Sequence, residues 1–148
     1  MTADNRVLLM TRIVDAPPAL VFQAWTEPER IKHWWGPRGY TTISCEMDVR
    51  PGGAWRVRSR APDGTELGER GVFREIVSGE RLVFIHVWED ADGNPGLETL
   101  VTVTFADEGG KTRLTLRQAV FDTVETRDGH VEGWGESLDM LAEHLANG

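Results

Sequence analysis

The sequence predicts an α+β fold: one strand, two short helices, an antiparallel meander, and a long C-terminal amphipathic helix. Three observations carry this. Apolar residues at i, i+3, i+4 spacing follow the first strand, at Val21, Ala24 and Trp25. Between residues 40 and 121, strand-like runs alternate with short turns rich in Gly, Pro and Asp. Near the C-terminus, Trp134, Leu138, Leu141 and Leu145 fall at i, i+4, i+7, i+11, with Glu132, Glu136, Asp139 and Glu143 at the same spacing on the opposite side.

The elements follow in order. Residues 6–15 (RVLLMTRIVD) are rich in branched apolar residues and read as a strand. Pro17 and Pro18 suit the first turn of a helix, because the missing N–H would be unpaired there in any case. Thr26 and Glu29 have capping-box spacing, so a second short helix starts there, and Gly36-Pro37 ends it. Within it Ile31, Trp34 and Trp35 repeat the i, i+3, i+4 spacing, which packs both tryptophans onto the body of the protein, a ligand-lining role being the alternative. Strands are expected at 40–49, 54–60, 66–77, 81–89, 97–106 and 112–121. In 54–60, Trp55, Val57 and Ser59 alternate with Arg56, Arg58 and Arg60, a half-buried strand with a basic outer face. Arg50-Pro-Gly-Gly53, Pro62-Asp63-Gly64, Ser78-Gly79, the loop 90–96 and Glu108-Gly-Gly-Lys111 supply the turns. The last helix is expected over 129–148, capped by Asp128 or Thr126 and closed by Asn147-Gly148, with its acidic stripe facing solvent.

Composition excludes several classes of function. The 148 residues are expected to form one domain, able to fold without a disulfide or metal. A formal net charge of −8 argues against sequence-independent nucleic-acid binding and against docking on anionic membranes. Cys45 is the only cysteine, and the start MTADNRVLL lacks the pattern of a signal peptide, so a cytoplasmic location is expected. The strongly apolar run LVFIHVW (82–88) is too short to span a bilayer.

Motifs for metal, phosphate and dinucleotide chemistry are missing, and no cofactor is expected. None of His33, His86, His130 and His144 has a local His or Cys partner at ligand spacing. On one helix His130 and His144 lie about 21 Å apart. The string DADGN (90–94) has Pro95 and Val101 where a calcium loop needs Gly and Glu, so it reads as a hairpin tip. No G-x-x-x-x-G-K, G-x-G-x-x-G or G-x-S-x-G occurs, and no serine carries a mark of activation. His86 shares a strand face with Leu82, Phe84 and Trp88, so it is either a hydrogen-bonded core histidine or a polar group facing a cavity. Gly133 and Gly135 flank Trp134 in the last helix, which indicates close packing or needed space.

The strings APPALVFQAWTEPERIKHWWGP (16–37), RPGGAWRV (50–57), GVFREIVSGERLVF (71–84), VTVTF (101–105), GGKTRLTLRQ (109–118) and GWGESLDMLAEHL (133–145) resemble SRPBCC, or START-like, proteins. The closest resemblance is to the branch named after activators of the heat-shock-protein-ninety ATPase. It covers nearly the whole chain in order, although the eukaryotic activators carry a further N-terminal domain not expected here. The resemblance implies a helix-grip (Bet v-like) fold: a curved antiparallel sheet of six to seven strands around the C-terminal helix, with a hydrophobic cavity between them. Candidate lining residues on plausible inward faces are Trp55, Val57, Phe73, Phe84, His86 and Trp88, then Val101, Val103, Phe105, Leu114 and Leu116, with Trp134, Leu138 and Leu141 from the helix.

Three functions compete. The first is a carrier or binding protein for a small apolar or aromatic molecule. The second is a cyclase-, dehydratase- or hydrolase-like enzyme in which His86, Gln118 or Glu69 moves protons, His86 being the weak catalytic candidate. The third is a chaperone-activating interaction module that uses the arginine face (Arg56, Arg58, Arg60) or the acidic helix face. An edge strand also offers a route to a homodimer.

Overall fold

The computed structural model describes residues 6–36, 38–90 and 92–146. Pro37 of the Gly36-Pro37 break, Ala91 of the 90–96 loop and the closing Asn147-Gly148 lie outside them. The elements are β1 (Leu8–Val14), α1 (Pro18–Thr26), α2 (Pro28–Ile31), β2 (Thr41–Met47), β3 (Ala54–Arg60), β4 (Glu66–Val77), β5 (Arg81–Glu89), β6 (Pro95–Glu108), β7 (Lys111–Ala119) and α3 (Val124–Ala146).

All seven strands form one antiparallel sheet in the order β1-β7-β6-β5-β4-β3-β2. From β2 to β7 the chain runs as a meander, and β1 closes on β7 from Leu8↔Gln118 to Val14↔Thr112. Register shifts at Thr42/Ser44, Phe73/Glu75 and Val87/Glu89 are sites where extra residues bend and twist the sheet. At Gly71 a Cβ would overlap the Ile85 carbonyl oxygen. The bare glycine lets β4 close on β5 there, and lets Trp55 Nε1–H donate to that carbonyl at 3.1 Å.

One face of the sheet is apolar and covered by the helices. Trp55 and Val57, Phe73, Leu82 and Phe84, Val101, Val103 and Phe105, and Leu114 and Leu116 are all buried on it. The alternation expected in β3 holds, with Trp55, Val57 and Ser59 buried while Arg56 and Arg60 are exposed. Helix α1 buries Val21, Phe22, Ala24 and Trp25. Phe22 meets Phe105 edge to face at 5.5 Å, and Trp25 stacks on Trp134 of α3 at 5.7 Å. Helix α3 buries Trp134, Leu138 and Leu141, with Leu145 packed beside them, so its predicted stripe is the contact face.

Three details depart from expectation. Helix α2 ends at Ile31, so Trp34 and Trp35 stand in the turn after it and not within the helix. The Thr26–Glu29 capping box does not form: the N-cap of α2 is Glu27, with no side-chain cap bond, and Thr26 Oγ1 donates back to the Phe22 carbonyl. Glu29 instead pairs with Lys32 at 2.7 Å, and Pro28 sets the first turn. Helix α3 begins five residues earlier than the expected 129, at Val124. Its cap is Thr123, whose Oγ1 accepts the Thr126 N–H at 3.0 Å, so Thr126 and Asp128 lie inside the helix. No helix among the described residues is long and apolar enough to cross a membrane.

Candidate functional site

A part-open pocket of about 310 Å³ lies between the β3–β5 end of the sheet, helix α3 and the segment after α2. Each wall follows from a local feature of the chain. On the sheet side, Ser59, Leu67 and Glu69 (β3 and β4) and His86 and Trp88 (β5) stand on the inward face, with Ser59 opposite Leu67 and Glu69 opposite Trp88. On the helix side, Thr126, Gly129, His130, Gly133, Trp134 and Ser137 recur at spacings of three or four, one face of α3. Trp35, Gly36 and Tyr40 close the third side.

That third side is fastened to α3. Ser137 Oγ donates to the Gly36 carbonyl at 2.8 Å, the Arg38 amide donates to Glu136 at 3.3 Å, and the Arg38 guanidinium pairs with Glu143. Gly36 and Gly39 have φ of +92° and +88°, which a side chain would strain, and these two turns bring the segment back onto the helix. The rings of His33 and His144 stack at 5.0 Å beside this contact. Asp139 pairs with Arg12 of β1 at 3.4 Å. The acidic stripe of α3 is therefore not only a solvated face, because three of its carboxylates hold the neighbouring chain.

The polar groups of the pocket form two linked sets. Glu69 accepts the Trp35 indole N–H on Oε2 at 2.6 Å and meets His86 Nε2 with Oε1 at 2.7 Å. His86 is 2% exposed, and its Nδ1 has no hydrogen-bond partner. Trp88 Nε1–H donates to His130 Nε2 at 2.8 Å, and His130 Nδ1 lies 2.8 Å from the Thr126 carbonyl. Because one nitrogen of His130 must accept and the other faces a carbonyl, the ring is the neutral Nδ1–H tautomer. Burial pushes its pKa below the ordinary histidine value; the Thr126 hydrogen bond opposes this and the nearby His86 adds to it. Below the pocket, Gln118 is fully buried and spent at both ends: Nε2 donates to Thr99 Oγ1 and Oε1 accepts from Trp134 Nε1, each at 2.8 Å.

Of the residues expected to line a cavity, His86, Trp88 and Trp134 line this pocket. Val57, Phe73 and Phe84 border only a void of about 10 Å³, which Trp25, Ile31, Trp35 and Trp55 also line. Trp55 further borders an open indentation of about 610 Å³ beside Arg56, Arg70 and Ile85. Val101, Val103, Phe105, Leu114, Leu116, Leu138 and Leu141 also face inward, but they are buried in the core cluster. The difference has one cause: α1 and the two tryptophans that follow α2 occupy the space between the sheet side chains and α3. Gln118, weighed as a proton carrier, is instead a fixed strut under Trp134. Sequence reasoning missed Tyr40, Ser59, Leu67, His130 and Ser137 as lining residues. Ser59 and Glu69 did carry a signal, each being polar on an otherwise apolar inward face.

Other candidates offer less chemistry. Burial, with Glu29 and Glu46 nearby, pushes the Cys45 thiol up to about 11, so it is no nucleophile near neutral pH. The arginine face is largely paired: Arg58 and Arg60 each reach Glu66 at 3.4 Å, and Arg56 (3.1 Å) and Arg70 (2.8 Å) share the buried Glu89. Among the described residues no cluster of three or more metal-ligating side chains occurs.

A curved antiparallel sheet wrapped around a C-terminal helix, with two short helices after the first strand, is the helix-grip arrangement of α+β domains. Residues 15–146 match the family model described as Activator of Hsp90 ATPase homolog 1-like protein, and the chain belongs to that family. Similar solved structures include a protein of Nitrosomonas europaea (25% identity, TM-score 0.83, covering 99% of this chain and 97% of the other). Another is a protein of Chromobacterium violaceum (28%, 0.82, 93% and 95%). A third, from Silicibacter pomeroyi, carries the name AHSA1 (25%, 0.84, 95% and 97%). No curated protein matches this chain in sequence.

Proposed function

We propose that this domain binds a small, largely apolar molecule in the pocket between β3–β5 and α3. One observation carries the reading: an indented site of about 310 Å³ whose walls are mainly aromatic and apolar, with a few polar groups converging at Glu69 and His86. Small-molecule sites have this composition, and their volumes run from roughly 300 to 1,000 Å³. The single free thiol, Cys45, suits a reducing cytoplasm. Native mass spectrometry of the gently purified chain tests the proposal. A small molecule that co-purifies and is released on denaturation is expected. The bare chain mass, together with no response of the pocket to a panel of aromatic compounds, would count against it.

A second reading is favoured by the Glu69–His86 pair. A carboxylate holding an imidazole is an arrangement for general acid–base chemistry. On this reading the bound molecule is turned over, and His86→Gln stops turnover while the molecule still binds. An identified ligand recovered unchanged after long incubation would remove it.

A further inference from the structure

Glu69 is the only carboxylate among the residues lining the pocket, and neither Lys nor Arg lines it. The Glu69 side chain is 12% exposed and accepts two hydrogen bonds, one on each oxygen, from Trp35 and His86. An ionised carboxylate, which only accepts, matches both partners.

His86 meets this carboxylate through Nε2 at 2.7 Å and leaves its own Nδ1 without a hydrogen-bond partner. His130 is held neutral by its own two contacts, to Trp88 and Thr126. Arg56 and Arg70 pair with Glu89, whose glycine neighbour Gly68 leaves room for its carboxylate. The carboxylate of Glu69 thus sits largely buried with no lysine or arginine among the residues lining the pocket, although buried charges are ordinarily paired.

The walls around it favour positive charge as well. Trp35, Tyr40, Trp88 and Trp134 all line the pocket, and aromatic faces attract cations through their ring quadrupoles. We infer that the pocket takes a protonated organic amine, an arylalkylammonium of one or two rings, whose N–H groups meet Glu69 and whose rings lie against Trp88 and Trp134. This rests on the binding function proposed above and names its ligand class. The size follows from the volume of about 310 Å³, near the lower end of small-molecule sites.

Isothermal titration of the whole chain with three probes of one skeleton tests the inference: tryptamine (cation), 3-ethylindole (neutral) and indole-3-propionate (anion). Tryptamine is expected to bind roughly tenfold or more tighter than 3-ethylindole, the size of a charge-assisted and cation–π preference, with the anion weakest. Glu69→Gln is expected to remove the preference for tryptamine over 3-ethylindole, near-UV circular dichroism confirming its fold. If 3-ethylindole binds the unaltered chain as tightly as tryptamine, or the anion binds best, the ammonium inference fails and the binding function stands. If none of the three binds, the ammonium inference fails, and the binding function is decided separately by whether a small molecule co-purifies with the chain.

Discussion

Replacing Gln118 with leucine tests whether the pocket wall is held by the buried amide. Gln118 is fully buried and joins Thr99 to Trp134 through two 2.8 Å hydrogen bonds. Leucine has similar volume but leaves the Trp134 indole N–H and the Thr99 hydroxyl without partners. Each stranded group costs about 1–3 kcal/mol, and the greater apolarity of leucine returns part of that. The net loss is expected at about 2 kcal/mol. For a chain of this size that lowers Tm by roughly 4–8 °C. Differential scanning calorimetry or urea unfolding reads the change, and the Trp134 indole proton should move upfield as its hydrogen bond is lost. An unchanged or raised Tm would refute the reasoning, because it would mean that the amide carries no net stabilisation.

Other expectations follow from the same contacts. Gly71→Ala should destabilise by roughly 2–4 kcal/mol in urea unfolding, because a methyl there overlaps the Ile85 carbonyl and displaces the Trp55 hydrogen bond. Gly129→Ala should stabilise by up to about 1 kcal/mol, since Gly129 lies within α3 and a Cβ there meets nothing within 4 Å. Acid should weaken the fold through His130 and His144, both lowered from 6.5 chiefly by burial. The unfolded chain takes up protons first, so their contribution is complete above pH 6.5 and is lost as pH falls from 6.5 through the lowered folded values. His130→Gln should flatten the dependence of Tm on pH in that window, and an unaltered slope would contradict the assignment.

The order of elements was legible because period-two alternation and turn residues mark strands directly. β3, β4 and β5 begin and end where the pattern places them. The start of α3 was hidden because its first turn buries no residue, so no apolar stripe announces it. The same limit applies to the site. Alternation tells which face a side chain takes, and so brings His86, Trp88 and Trp134 to the inner side. It does not tell what lies across from that face. Phe84 and His86 are two residues apart on one strand, yet the first is closed in by Trp25, Trp35 and Trp55 and the second opens on the pocket. Trp34 and Trp35 show the same limit: Trp34 is tied to the Ala24 carbonyl at 3.0 Å, while Trp35 reaches Glu69, far along the chain. Only the closed fold separates the structural tryptophan from the one beside the pocket.

The central claim is best tested by the six indole N–H signals in a ¹⁵N–¹H spectrum, followed as tryptamine is added. Trp35, Trp88 and Trp134 line the pocket, whereas Trp25 and Trp34 lie in the core. Saturable shifts at the first three, with Trp25 and Trp34 little changed, are the result this account requires. Shifts confined to other signals, or none at concentrations that saturate ordinary small-molecule sites, would contradict it.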